Sequence, residues 1–308
     1  KQSYNDLPKN DYVDSFVIAD CLRFGRINKE VYTENYHYIA LKNLTRARYY
    51  AVCNLVKEKQ RFMNILFKKY STMTQEKVFS DTFSTTALAV YEEFESAEAL
   101  ASMDLQELTD FIVEKGKNRF PDPDSVAKAI QKAARSSYRL PKTVNDSVNQ
   151  VLSISITSMR ALESQIKEFD KAIAAQMKLL PNVLTSIPGI GPVFSAGIVA
   201  EIGDINRFSN HAQLAKYAGL AWKQHQSGSF EAQTTRLINS GNRFLKYYLC
   251  EAAFSLVRCD KEYSDFYHLK YKEVNRYQHK RALVLTARKF VRLVFVLLKD
   301  NRLYRSAR

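Results

Sequence analysis

Apolar positions recur along most of this chain at steps of three, four and seven residues, the spacing of helices with one buried face. Across residues 33–70 no Pro or Gly interrupts the pattern. The stripe Leu41, Leu44, Val52, Leu55, Val56, Phe62 and Leu66 predicts one long helix whose other face is rich in Lys and Arg. A second long helix is predicted over 147–180, with Val148, Leu152, Met159, Leu162, Ile166, Phe169, Ile173 and Leu180 on one side. That stripe suits a coiled-coil or bundle seam, with Ser155 filling one core slot. The 33–70 helix of the same chain, or a second chain, satisfies it equally well.

Between the two long helices the pattern shortens. Gly116, Pro121, Pro123 and Pro141 punctuate residues 71–144, and helices are predicted near 87–101, 104–115 and 124–136, a small helical insertion. Ahead of it all, residues 9–20 read as a helix capped by Asn10 or Asp11, with Val13, Phe16, Val17 and Leu22 at helical spacing and Gly25 as its stop. Pro181 breaks the second long helix and opens a C-terminal region with helices predicted at 192–202, 210–218, 241–257, 261–273 and 279–299. No alternation is strong enough to predict a sheet, and no internal repeat is found. The fold class expected is mostly α.

Charge changes this picture at one end. The net charge is +14, and residues 206–308 hold 20 Lys and Arg against 7 Asp and Glu, so nearly all the excess lies in the last third. A polyanionic partner is the leading inference, with a generally basic soluble protein as the plainer alternative. Cys21, Cys53, Cys250 and Cys259 form no CxxC pair and give no metal-ligand spacing; they read as buried free thiols of a reducing cytoplasm. The longest apolar run, around 293–298, is too short to span a bilayer, and no signal peptide is evident. The chain opens without Met in a polar stretch, and the expectation is the remainder of a longer protein.

Candidate chemistry concentrates in residues 187–242. Ile187-Pro188-Gly189-Ile190-Gly191-Pro192, followed by Ala196, Gly197 and Ala200, fits a helix-hairpin-helix, in which Gly189 and Gly191 let backbone amides approach a phosphate. Such contacts grip DNA without reading its sequence; a plain tight turn between helices is the competing reading. Ser227-Gly228-Ser229 places a hydroxyl on a short loop near Lys223, His225 and Arg236. A serine that attacks a phosphodiester needs that exposure and nearby cations, although Ser-Gly-Ser is common in ordinary loops. Asn242 and Arg243 come next as further candidate DNA contacts. Arg281, Arg288, Arg292 and Lys299 make a basic stripe opposite Val284, Ala287, Val291 and Val294, and Tyr247, Tyr248, Tyr263, Tyr267, Tyr271 and Tyr277 offer rings for base stacking. Asp11 and Asp14, three apart at a helix start, are oxygen ligands of the kind a hard cation takes, or a cap and a solvated acid.

In this order the motifs resemble the IS110 family of insertion-sequence transposases, which include the Piv-type DNA invertases. The resemblance covers the whole chain and is most specific in 187–246 and 11–19. It implies three parts: residues 1–32 as the end of an RNase H/RuvC-like α/β domain, 33–180 as a coiled-coil region with an insertion near 71–144, and 181–308 as a serine transposase domain. Asp11 and Asp14 look like the last two acids of the family's Asp-Glu-Asp-Asp tetrad, which binds Mg²⁺. Ala218-Gly219-Leu220 with Ser227-Gly228 looks like the serine motif, making Ser227 the nucleophile and Ser229 the lesser alternative. Residues 236–242 with Leu245 are similar to the family's stretch on the C-terminal side of that motif. The first Asp and the Glu of the tetrad are absent and belong upstream of Lys1. Trp222 stands where the family usually has Pro, and Asn239 where it has Lys.

The resemblance implies a DNA recombinase guided by a structured RNA of the element, often called a bridge RNA, that pairs with donor and target DNA. Strand exchange would pass through a covalent serine–DNA intermediate in a dimer or dimer of dimers held by the 147–180 seam. The setting implied is a bacterial cytoplasm, at the nucleoid and not a membrane. A site-specific invertase with the same chemistry is the nearest alternative. A non-catalytic nucleic-acid-binding protein and a RuvC-like junction nuclease without covalent chemistry are the others.

Overall fold

In a computed structural model the protein is described over residues 11–25, 34–180, 182–222, 226–227, 230–231 and 236–305. These residues form thirteen α-helices and one short antiparallel hairpin, so the fold is mostly α, as its periodicity predicts.

Two helices set the frame. Helix α2 (Tyr36–Lys69) starts where the Asn35 side chain accepts the His37 amide at 2.9 Å, and α8 (Lys142–Met177) starts directly after Pro141. Nothing between Pro141 and Ser147 stops a helix, so α8 begins five residues earlier than the apolar stripe predicts. The two run antiparallel: Arg48 Nε donates to Asp170 Oδ1 at 2.5 Å, and Ser155 Oγ donates to Glu58 Oε1 at 2.6 Å. Of the two partners open to the α8 stripe, the structure shows the one in the same chain. Ser155 fits because α2 supplies a carboxylate opposite it.

Helices α3 (Ser71–Gln75), α4 (Thr85–Glu93), α5 (Ala97–Ser102), α6 (Leu105–Gly116) and α7 (Pro123–Arg135) form the insertion at the far end of this pair. Their core gathers Phe62, Leu66, Tyr70, Tyr91, Leu108, Ile112 and Ile130 with Val148 and Leu152 of α8. The single helix predicted over 87–101 is broken into α4 and α5. Ser96 caps α5 by accepting the Ala99 amide at 3.0 Å, and the Glu95 carbonyl is taken by the side-chain amides of Asn145 and Asn149 of α8. That carbonyl is therefore engaged outside the helical ladder.

The C-terminal part holds α9 (Pro192–Ile202), α10 (His211–Tyr217), α11 (Arg243–Cys259), α12 (Lys261–Lys272) and α13 (Gln278–Asp300). A large core joins Ile198, Ile202, Leu214, Leu245, Leu249, Leu256, Phe290 and Val294. Leu41, Ile173, Met177, Ala196 and Ala200 form a smaller cluster that ties α2 and α8 to α9. Tyr248 and Tyr263 lie in the core, with the Tyr248 hydroxyl donating to the Thr45 carbonyl at 2.8 Å; they are not the stacking surface their sequence position suggests. Gly197 faces the Tyr248 ring, where a β-carbon would overlap it, so the close contact of α9 with α11 depends on that glycine. The thiols are free, yet Cys259 is exposed and the other three are half-buried, less covered than expected. Burial pushes the Cys250 thiol up to about 11. Helix α1 (Asp11–Arg23) has no buried residue.

Candidate nucleic-acid interface and reactive hairpin

Ser227 lies on a β-hairpin. Strands β1 (Gln226–Ser227) and β2 (Phe230–Glu231) pair antiparallel with Ser227 opposite Phe230. The stretch is therefore a hairpin where the sequence suggests only a loop, because two-residue strands are too short to show alternation. The connecting pair, Gly228 and Ser229, lies outside the described residues, as do Lys223 and His225.

Below the strands the two arms are stitched again. Trp222 bridges Leu237, and the Ile238 amide donates to the Ala221 carbonyl at 2.9 Å. At the foot, Gly219 (φ +72°) and Gly241 (φ +128°) face each other so closely that neither position accepts a side chain. This explains the glycine in each of the two motifs 218–220 and 240–242: together they let the hairpin's arms leave the domain side by side.

Asn242 locks the foot. Its side-chain oxygen accepts the amides of Phe244 and Leu245, both at 3.0 Å, capping α11. Its side-chain nitrogen donates to Glu201 Oε2 at 2.7 Å and to the Tyr217 hydroxyl at 3.2 Å. Its own amide donates to the Tyr217 carbonyl at 2.7 Å. Proposed from sequence as a DNA contact, Asn242 has its side-chain amide engaged within the protein.

Glu201 is the hub beneath it. The carboxylate is fully buried and takes Arg46 of α2 in a two-pronged pair, Nε to Oε1 at 2.7 Å and Nη2 to Oε2 at 2.8 Å. Those bonds raise the Arg46 pKa above the ordinary guanidinium value, against the opposing pull of burial. Arg46 also stands 4.5 Å from the centre of the Phe244 ring, and Arg243 stands 4.7 Å from the same ring while donating to the Tyr50 hydroxyl at 2.5 Å. Sequence reasoning missed Arg46 and Glu201. The signal was present for Glu201, the one charged residue in the mostly apolar 192–202 helix.

The remaining expected contacts occupy other faces. Residues 187–191 form a turn after a single 3₁₀ turn (Leu184–Ser186), with the Ile190 amide donating to the Ile187 carbonyl at 3.0 Å, and α9 starts at Pro192. Gly189 (φ +80°) packs against α11, where Ser255 Oγ donates to its carbonyl at 2.7 Å; Gly191 has open space around it. Arg236 is exposed. On α13, Arg281 pairs with Glu273 at 2.9 Å, Arg292 is exposed, and burial with the neighbouring charge of Arg292 lowers the Arg288 pKa. The same surroundings, burial first and then Arg288 and Arg292, lower the pKa of His211. Ala287, Val291 and Val294 face the core, as the stripe requires.

Asp11 and Asp14 occupy the first turn of α1. Their chemistry suits two ligands of a hard divalent ion, which takes one or two carboxylates beside water and phosphate oxygens. Among the described residues no three His, Cys, Asp or Glu side chains gather as a metal site, so these two fit as part of a site and not as the whole.

Comparison with known proteins bears on this arrangement. Residues 182–268, which include the hairpin, its glycine foot and Asn242, match the model of the transposase IS116/IS110/IS902 family, and residues 1–70 match a DEDD transposase model of the IS110 type. The chain belongs to the IS116/IS110/IS902 transposase family. It is 27% identical over 316 residues to an uncharacterised 44.8 kDa protein of insertion element IS116 from Streptomyces clavuligerus, covering 99% of this chain and 75% of that protein. It is 29% identical over 161 residues to the transposase of insertion sequence element IS1111A from Coxiella burnetii, covering 51% of this chain and 44% of that one. Similarity to the pilin gene-inverting protein of Moraxella bovis is 29% over 122 residues, covering 39% of this chain and 37% of that protein. Within this IS110-type chain the two matched regions meet physically, because Arg46 belongs to the first and Glu201 to the second. Among the described residues no helix is long and apolar enough to cross a membrane.

Proposed function

We propose that this protein is a DNA transposase or recombinase in which Ser227 is the nucleophile. The observation that carries the reading is the position of Ser227 on a hairpin whose foot is built from the family-matched glycine motifs, within the most basic third of the chain. In the proposed step Ser227 Oγ forms a bond to the phosphorus of a phosphodiester and one phosphorus–oxygen ester bond breaks. The departing sugar oxygen takes up a proton as Oγ gives one up. Attack on the phosphoserine by the partner strand's hydroxyl then rejoins DNA and frees Ser227, so no phosphodiester is lost.

Asp11 and Asp14 would hold Mg²⁺ in this scheme. When bound, such an ion supplies positive charge against the developing oxyanion. Arg236 and the cations around the hairpin foot would neutralise the strand, and the turn at 187–191, with Arg288 and Arg292, would anchor flanking backbone. Donor and target DNA are the substrates, and a structured RNA of the element is the proposed guide. A second protomer belongs to the proposal. Val144, Val151 and Ile154 are large apolar residues of α8 that stand exposed for it.

Site-specific inversion is the second reading, favoured by the similarity to the pilin gene-inverting protein. Both use the same covalent step. Incubation with labelled element DNA, its RNA and Mg²⁺, then denaturing electrophoresis, tests that step. A denaturation-resistant protein–DNA adduct, lost in Ser227→Ala, is expected; cleavage without an adduct overturns it.

A further inference from the structure

The geometry points to a phosphodiester-binding groove between α2, α10 and the start of α11, in which Arg46, Lys216 and Arg243 take the backbone of the DNA strand presented to Ser227. The inference rests on the proposed serine chemistry for the identity of that strand and adds a binding site to it. The groove has a volume of about 580 Å³, and the turn Ser240-Gly241-Asn242 forms one wall. That volume falls within the roughly 300–1,000 Å³ of sites that hold small organic ligands, and no carboxylate lines it.

Three features make this a built site. First, Arg46 is fixed before any ligand arrives. Glu201, fully buried below the groove, takes its Nε and Nη2, and Phe244 backs the guanidinium plane. Of the five N–H donors of a guanidinium, two serve Glu201 and three remain. Second, Arg243 stands over the same phenyl ring, 4.7 Å from its centre, so one side chain positions both guanidinium groups. The hydrogen bond of Arg243 is to a neutral hydroxyl, that of Tyr50. Third, Lys216 adds another cation from α10, and among the described residues no ion pair involves it. The local balance is three positive charges against one negative. Placing like charges together costs free energy that an anion recovers, and the planar fork of arginine matches phosphate oxygens.

The occupant is argued from continuity. The groove's wall is the turn Ser240-Gly241-Asn242, which packs on Gly219 at the foot of the hairpin that carries Ser227, so a strand lying in the groove lies at the base of that hairpin.

The test measures binding without cleavage. Anisotropy of fluorescein-labelled single-stranded DNA, and of RNA of the same sequence, is measured over a salt series for wild type, Lys216→Ala, Arg46→Lys and Arg243→Ala. Lys216 and Arg243 are exposed, so their variants should fold; melting temperatures check this. The expected result is a several-fold loss of DNA affinity in each variant. For Lys216→Ala and Arg243→Ala the slope of log K against log salt should also shrink by about 0.7 per lost contact. Glu201→Gln should weaken DNA binding less than additively with Arg46→Lys, because both act through one guanidinium. Unchanged affinity and slope in folded Lys216→Ala and Arg243→Ala would overturn the groove. A loss confined to RNA would overturn the assignment to DNA. The readout does not use the Ser227 hydroxyl, so failure of the serine chemistry and failure of the groove are separate results.

Discussion

Gly241 stands against Gly219 so closely that a β-carbon on Gly241 would lie 2.5 Å from the Gly219 amide nitrogen. The atoms it would meet, Gly219 N and Cα and the Tyr217 carbonyl oxygen, are all backbone, with no flexible side chain to move aside, and the Gly241 φ of +128° is itself costly for any other residue. Gly241→Ala should therefore destabilise the protein by about 3 kcal/mol or more. Urea unfolding measures it directly; a loss below about 0.5 kcal/mol, the range of ordinary surface changes, would contradict the back-to-back geometry.

Gly191 supplies the opposite case. Its φ is −76° and nothing lies within 4 Å of where a β-carbon would stand. Gly191→Ala should leave the unfolding midpoint unchanged. If the 187–191 turn presents its amides to phosphate, the added methyl group should still reduce DNA affinity several-fold. Equal affinity in wild type and variant would assign this glycine to turn geometry alone.

Lys69 is buried in the insertion, where its ammonium donates to the Tyr91 carbonyl at 3.0 Å. Burial lowers its pKa to about 8, with Glu95 pulling weakly the other way. An unfolded lysine titrates near ~10.4. Between roughly pH 8 and 10 the folded protein has already released the Lys69 proton that the unfolded chain still holds, so Lys69 makes stability rise with pH there, against the fall contributed by Cys250, whose buried thiol keeps a proton that the unfolded chain loses. Lys69→Met should remove the rising contribution and leave a steeper fall with pH than in wild type. At pH 7 it should stabilise the fold by about 1–2 kcal/mol, once the lost hydrogen bond is set against the removed buried charge. Thermal melts of both proteins from pH 7 to 10 decide this, and identical pH slopes in wild type and Lys69→Met would contradict it.

Ser155 and Glu58 are one of the polar pairs between α2 and α8, 2.6 Å apart. Ser155→Ala should cost about 1–2 kcal/mol, the scale of a hydrogen bond to a charged group, in chemical denaturation. A neutral or stabilising result would show that Glu58 is served equally well by solvent and Arg61.

Much of the fold could be read from the chain because helices announce themselves locally. The predicted 192–202 helix is Pro192–Ile202, and 279–299 is Gln278–Asp300, since proline, caps and apolar spacing lie within one or two turns of each end. The features that failed to show depended on distant partners. The break at 94–96 exists because Asn145 and Asn149 of α8 claim the Glu95 carbonyl. Whether the α8 stripe met this chain or another could not be decided from its own pattern. The site divides the same way. Glycines and a serine at fixed spacing marked the segment, although only as a loop, whereas Arg46 joins it across 155 residues through Glu201, and no local pattern encodes that.

The central claim is that Ser227 becomes bonded to DNA. The most direct measurement is mass spectrometry of the trapped adduct after trypsin and nuclease digestion. Cleavage after Lys223 and Arg236 isolates residues 224–236, which hold both Ser227 and Ser229. A nucleotide remnant on Ser227, absent from Ser227→Ala, is the expected result. A remnant on Ser229 or on any other side chain, or unmodified peptide from protein that has cleaved its DNA, would contradict the account.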